Sequence, residues 1–157
     1  MDWQISYDKE VEIKLLPHLK KFILKFYKQQ EPICVDFNTS LGTAFNSVLR
    51  KKISYRKDRE RYTASTRFLL NQDLSNLSLQ HAYLVAFNVE YDRHFMDAVC
   101  VWVEAQANLN LNESQAVRNF LAYYNISESE YSFDSLRTKY NRWKTDYYKR
   151  KRKPVNN

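Results

Sequence analysis

The sequence predicts a mainly α fold: a compact helical domain with a small β element and a basic C-terminal helix. Apolar residues recur at three- and four-residue steps in five segments, against two short strand-like runs. One Gly and three Pro leave few positions for tight turns, which favours helices joined by short polar links over a many-stranded sandwich. Because 44% of the residues are hydrophobic, the chain can bury a core and is not expected to be disordered.

The first helix is predicted to begin near Leu15. Pro17 suits the first turn of a helix, where its missing N–H has no partner to lose. The preceding residues 10–14 alternate in polarity, which permits a short strand. The helix is defined by one apolar stripe, which consists of Leu16, Leu19, Phe22, Ile23, Phe26 and Tyr27.

The small β element is predicted near residues 31–37 and 62–70, on either side of a second helix. Pro32 ends the first helix, and the apolar run after it is typical of a short strand. Residues 38–40, Asn-Thr-Ser, offer side-chain oxygens that can cap the second helix. The highly charged residues 53–62 are predicted to form an exposed loop or a β-hairpin arm. The second helix is defined by Leu41, Ala44, Phe45, Val48 and Leu49.

The longest apolar stretch, residues 77–108, predicts a long helix. Apolar residues follow two sides of it, and such a helix is usually buried centrally or shared with a partner chain. We therefore expect it to be the spine of the core and the surface for a homo-oligomer or protein assembly. Asn88 is the place where a break in the helix would fall. One stripe is Leu84, Phe87, Tyr91, Phe95, Ala98 and Trp102, and the other is Val85, Val89, Met96, Val99 and Val103.

Two further helices are predicted at the C-terminal end. The first covers residues 113–124, and Asn125 suits the left-handed conformation of the turn that follows. Residues 127–130, Ser-Glu-Ser-Glu, have the spacing of a capping box. The final helix is defined by a stripe of Phe133, Leu136, Tyr140, Trp143 and Tyr147.

The predicted organisation has three parts. Residues 1–110 form the helical core with the minor β element, residues 111–148 form a helical pair, and residues 149–157 form a basic tail. The N-terminus lacks the basic-then-apolar order of a signal peptide. No apolar run approaches the roughly 18 residues needed to span a membrane, so we expect a cytoplasmic protein without a membrane partner.

The formal net charge of +7 is concentrated near the C-terminus. Residues 137–153 hold nine basic residues and one acid, a net charge of +8, whereas the other 140 residues hold 16 basic and 17 acidic groups. Such asymmetry is typical of a polyanion-binding protein, because each cation near a phosphate releases condensed counterions. An acidic protein, a membrane surface and a merely solubilising end are the alternatives. The predicted nucleic-acid-binding residues are Arg137, Lys139, Arg142, Trp143, Lys144, Lys149, Arg150, Lys151, Arg152 and Lys153.

Residues 115–144 resemble a helix-turn-helix: a short amphipathic helix, an Asn-Ile turn and a basic second helix. The resemblance implies that the second helix lies in the major groove of duplex DNA. Three features depart from the usual pattern: Leu121 stands where a small residue is usual, the link through residues 127–132 is long, and its acidic start repels phosphates. We therefore expect contact from the middle and C-terminal half of the helix. The alternative is a helical hairpin that only completes the fold.

The order of aromatic helix, short strand, helix, long helix and basic end resembles small proteins of bacterial phages and mobile elements. This resemblance implies a DNA-binding role in regulation, replication or packaging, in the host cytoplasm or the virion. The rival expectation is a structural or assembly protein of the virion type, whose basic tail docks on an acidic partner.

Catalysis is not expected, and neither is a cofactor. Glu90, His94 and Asp97 share one helical face, so they could hold a metal for an enzyme, but no second Glu-x-x-His motif completes a di-metal site. A polar cluster is the competing explanation. Gly-rich phosphate loops are excluded because the chain has one glycine. Cys34 and Cys100 lack metal-ligand spacing, and we expect reduced thiols.

Overall fold

A computed structural model of the chain describes residues 7–50, 59–71, 74 and 81–151. The described residues form five α-helices and a three-stranded sheet, which confirms the predicted mainly α fold with a small β element. The chain divides into two compact units, residues 1–95 and 96–157. The sequence suggested a boundary at residue 110, whereas the division between the compact units follows Phe95.

The sheet of the first unit has the order β1-β3-β2. Strand β1 (Tyr7–Leu15) runs antiparallel to β3 (Ala64–Asn71), and β2 (Ile33–Val35) runs parallel to β3. The strands predicted near residues 31–37 and 62–70 are present, and β1 is longer than the short strand that residues 10–14 permitted. Alternate residues point to the core, as the period of a strand requires. The alternating buried positions of β1 and β3 are Ile13, Leu15, Thr66, Phe68 and Leu70, and Asn71 at the end of β3 is buried as well.

Helix α1 (Pro17–Phe26) begins with its proline in the first turn, as the sequence predicts. It buries one face, formed by His18, Leu19, Phe22 and Ile23. The helix ends before Lys28, which has a positive φ of 52°.

Helix α2 (Ser40–Arg50) is capped by Thr39, within the predicted Asn-Thr-Ser segment. The Gly42 N–H donates to Thr39 Oγ1 (3.0 Å), which in turn donates to the Asp36 carbonyl oxygen (2.6 Å). The capping turn lies directly on Gly42, because a Cβ there would stand 2.0 Å from the Asp36 oxygen. The buried residues of α2 are Leu41, Gly42, Ala44, Phe45 and Val48.

Helix α3 (His81–Ala107) is continuous through Asn88, so the expected position of a break is wrong. The Asn88 side chain is 1% exposed and accepts a hydrogen bond from the Leu16 N–H (2.8 Å) while donating to the Lys14 carbonyl oxygen (3.0 Å). The oxygen and the nitrogen of the Asn88 amide therefore both have hydrogen-bond partners at the junction of β1 and α1, and Asn88 does not interrupt the helix. In the first unit, the buried apolar residues of α3 are Phe87, Tyr91 and Phe95.

The predicted second apolar stripe of α3 is wrong at Val89, which is 45% exposed. In the second unit the same helix buries a different set of positions, which are Met96, Val99, Cys100 and Val103. Val101 is 69% exposed there.

The second unit continues with α4 (Glu113–Tyr123) and α5 (Phe133–Lys151). Asn125 has a positive φ of 54°, as the turn prediction requires. The Ser127 N–H does donate to the Glu130 carboxylate (2.8 Å), but this bond closes a separate turn. Helix α5 begins only at Phe133 and is capped by Ser132, whose hydroxyl accepts from the Ser135 N–H (3.2 Å). The predicted capping box therefore does not start the final helix.

Candidate nucleic-acid interface

Most of the predicted nucleic-acid-binding residues lie on α5. Arg152 and Lys153 lie outside the described residues, and Arg150 and Lys151 are described only as part of the helix backbone. Within the predicted charged arm at residues 53–62, the structure describes the 3₁₀-helix Arg59–Arg61 and Tyr62, and residues 53–58 lie outside it.

One side of α5 is anchored in the second unit. Leu136 and Tyr140 are 0% and 2% exposed, so this side of the helix is part of the core. Burial raises the pKa of Tyr140, and the carboxylates of Glu113 and Glu104 add to the effect. Because the phenol stays neutral, it can remain buried without a compensating cation. At the start of α5, the Arg118 guanidinium lies 3.9 Å from the centre of the Phe133 ring, within the range of a cation–π contact.

Lys144 is paired within the protein. Its ammonium group forms an ion pair and hydrogen bond with the Glu113 carboxylate of α4. This hydrogen bond raises the pKa of Lys144, with desolvation acting in the opposite direction. The lysine therefore stays charged at neutral pH, but its charge is largely balanced locally. Lys144 was predicted to bind phosphate, but in the structure its ion pair with Glu113 joins α5 to α4.

The aromatic residues of α5 stack on one another. Trp143 lies between Tyr140 (ring centres 6.0 Å apart, planes at 24°) and Tyr147 (5.3 Å, 13°). Tyr148 meets Tyr147 edge to face at 5.6 Å. Both faces of the Trp143 ring thus have a neighbour on the same helix. Trp143 could therefore contact nucleic acid, as predicted, only through the edge of its ring or after the stacked rings of Tyr140, Trp143 and Tyr147 rearrange.

The opposite side of α5 is exposed and polar, and we call it the outer face. It forms a shallow groove lined by Thr138, Asn141, Arg142, Thr145, Asp146 and Lys149, all of which are exposed. Among the described residues, neither Arg142 nor Lys149 has an ion pair or hydrogen-bond partner for its side chain. The outer face therefore presents two cations and one carboxylate, that of Asp146, together with amide and hydroxyl groups.

Sequence reasoning found only part of this face. Arg142 and Lys149 were among the predicted residues, whereas Thr138, Asn141 and Thr145 were not. Their spacing could have identified them, because positions separated by three, four and seven residues share one side of a helix.

The remaining predicted cations, Arg137 and Lys139, lie in different surroundings. The Arg137 guanidinium lies 5.8 Å from the Phe133 ring centre, and Lys139 is half-buried.

The candidate metal ligands do not assemble into a site within the described part of the chain, where no group of three or more His, Cys, Asp or Glu side chains could hold an ion. Glu90 pairs with Arg93 (3.3 Å), which matches the expected polar cluster. The His94 ring packs against Tyr91, with ring centres 5.4 Å apart, and Asp97 is exposed.

Within residues 7–50, 59–71, 74 and 81–151, no helix has the length and apolar character required to cross a membrane. The chain matches no protein-family model, no curated protein and no solved structure.

Proposed function

We propose that this protein is a non-catalytic nucleic-acid-binding protein that binds duplex DNA through α5 and the basic run of residues 149–153, which begins within α5. Its role would be accessory, in the regulation, replication or packaging of phage or mobile-element DNA. The observation that carries the proposal is the two-sided character of α5. One side is fixed in the core by Leu136 and Tyr140, and the outer face presents Arg142 and Lys149 to solvent.

The arrangement suits phosphate binding because the cations are held on an ordered element. A side chain on an anchored helix loses less freedom on binding than one on a free tail. Helix α5 has 19 residues, which corresponds to about 28 Å at 1.5 Å per residue. Duplex DNA carries about one charge per 1.7 Å of its axis, so several phosphates lie within reach of such a helix.

The mechanism is counterion release. Each lysine or arginine that approaches a phosphate displaces condensed cations, which makes the affinity fall as the salt concentration rises. The remainder of the chain is close to neutral, so binding would be confined to the C-terminal end. Lys144 contributes less than its position suggests, because Glu113 already balances its charge.

Two matched double variants test the proposal. In the first, Lys149→Gln and Arg150→Gln remove two charges from α5; in the control, Lys14→Gln and Lys25→Gln remove two from exposed positions of the first unit. Both pairs lower the formal net charge from +7 to +5. The binding isotherm of a duplex is measured at several salt concentrations. We expect the slope of log K against log salt to flatten by roughly 0.9 per lost contact in the α5 variant only.

Equal loss in the two variants would show that net charge, and not α5, governs binding. If the full chain binds no duplex or single strand at low salt, the proposal fails. The virion-type assembly protein with an acidic partner would then be the better explanation of the basic end.

A further inference from the structure

We infer that the outer face of α5 reads base edges in the major groove of B-form DNA, with Asn141 and Arg142 as the residues that determine sequence preference. This inference rests on the proposed function and adds to it a substrate class, duplex DNA with a defined base sequence. The observation behind it is the mixture of side chains on the face. A surface that only neutralises phosphates needs cations, whereas this one interleaves an amide and hydroxyl groups with them.

The chemistry of these groups matches base edges. An Asn side chain can bond adenine at N6 and N7, and an Arg side chain can bond guanine at O6 and N7, each through two parallel hydrogen bonds. Asn141 and Arg142 are adjacent and exposed, so they can address neighbouring base pairs. The Thr145 hydroxyl already donates to the Asn141 carbonyl oxygen (2.9 Å), which leaves its methyl group for an apolar contact such as the methyl of thymine.

The dimensions are also compatible with the major groove. An α-helix with its side chains is about 10 to 12 Å across, and the major groove of B-form DNA is about 12 Å wide. Residues 138–149 span eleven steps of 1.5 Å, about 16 Å along the helix. At 3.4 Å per base pair, this length corresponds to roughly five base pairs.

Asp146 on the same face favours base contact over backbone contact. A carboxylate beside the phosphate backbone is repelled, so a face that only followed phosphates would be weakened by Asp146. Near the base edges, by contrast, a carboxylate can accept a hydrogen bond from the amino group of cytosine. The single acid on α5 between Arg137 and Lys151 is therefore consistent with a face directed at the floor of the groove.

Other nucleic acids fit this face less well. Double-stranded RNA has a deep, narrow major groove that side chains do not read. Single strands are bound mainly by stacking on exposed aromatic rings. None of the six residues that line the outer face is aromatic, and the rings of Tyr140, Trp143 and Tyr147 stack on one another on the other side of α5. Tyr148 is exposed next to the outer face, but its ring meets Tyr147 edge to face.

The test selects binding sites from a random pool of DNA duplexes with the full-length chain. Affinities of Asn141→Ala and Arg142→Ala are then measured on the selected duplex, on a scrambled duplex and on an RNA duplex of the selected sequence. Both residues are exposed, so circular dichroism should show an unchanged fold. We expect a loss of roughly 10- to 100-fold on the selected duplex and little change on the scrambled one.

The Lys149→Gln/Arg150→Gln variant is the matched control, because loss of phosphate contacts should weaken both DNA duplexes by the same factor. The inference is overturned, with the proposed function intact, if the pool yields no preferred sequence. It is also overturned if Asn141→Ala and Arg142→Ala weaken both duplexes equally, or if the RNA duplex binds as tightly as the selected DNA. Failure of the full chain to bind any nucleic acid would overturn both proposals.

Discussion

Gly42→Ala is expected to destabilise the protein, although the same change usually stabilises a helix. Gly42 is the only glycine of the chain and lies inside α2. On propensity alone, alanine in a helix interior is favoured over glycine by about 1 kcal/mol. The structure predicts the opposite sign, because the added Cβ would meet backbone atoms of the preceding turn.

The magnitude follows from those contacts. The Cβ would lie 2.0 Å from the Asp36 carbonyl oxygen and 2.7 Å from Phe37 Cα, whereas ordinary contact begins at 3.4 Å. The Asp36 oxygen must therefore move by more than 1 Å, and it is the acceptor for both the N–H and the hydroxyl of Thr39. Overpacking of this kind costs up to about 3 kcal/mol, and loss of the cap costs about 1 kcal/mol more. After the gain in propensity, we expect a net loss of about 3 kcal/mol.

Urea unfolding followed by circular dichroism measures this loss, and hydrogen exchange of the α2 amides locates it. Thr43→Ala is the control, because Thr43 is exposed and next to Gly42. It removes one exposed hydrogen bond, from the Thr43 hydroxyl to the Thr39 carbonyl oxygen (3.0 Å), so its change in stability should stay within about 0.5 kcal/mol. A Gly42→Ala variant as stable as the parent chain, or more stable, would refute the packing of the capping turn on α2.

Three further outcomes are expected. Asn88→Ala should lower stability by about 2 kcal/mol, because it leaves the Leu16 N–H and the Lys14 carbonyl oxygen without the Asn88 side chain as partner. NMR should show faster hydrogen exchange at the Leu16 amide, and unchanged exchange would contradict the bond. Burial raises the pKa of the Cys100 thiol to about 12, so its thiolate fraction at pH 8 should be about a thousandfold lower than that of an exposed thiol. Alkylation at pH 8 should therefore be much slower than for an exposed thiol and should recover on unfolding, as mass spectrometry can check. Glu113→Gln should free the Lys144 ammonium group to bind a phosphate, which should strengthen DNA binding and steepen the slope of log K against log salt by roughly 0.9. Stability should change by less than about 1 kcal/mol. Weaker DNA binding would contradict the pairing of Lys144 with Glu113 as the reason for its low contribution.

Local patterns were sufficient to predict α1 and the turn after α4. The stripe from Leu16 to Tyr27 predicted α1, although Phe26 within it is 50% exposed. The turn at Asn125 followed from the preference of Asn for the left-handed region. For α3 the pattern was ambiguous, because the helix buries different sides in the two units. Val89 belongs to an apolar stripe in the sequence but is exposed in the structure.

Partners distant in sequence could not be predicted. Asn88 was taken for the position of a break because its partners, Lys14 and Leu16, are more than 70 residues away along the chain. For the candidate site the same limit applied to Lys144, which looks like any other cation of the basic helix until Glu113 is placed beside it. The charge asymmetry was evident from composition, but the division of α5 into an anchored side and an outer face required its packing.

The left-handed turns have a consequence for the unfolded chain. Positive φ values occur at Lys28, Asn110 and Asn125, and the only glycine lies in a helix instead. A residue with a Cβ carries some strain in this region, yet it also has fewer backbone conformations than glycine when the chain is unfolded. Folding therefore surrenders less backbone entropy at these three turns than glycine would require. The unfolded chain therefore samples fewer backbone conformations at these three turns than it would with glycine there.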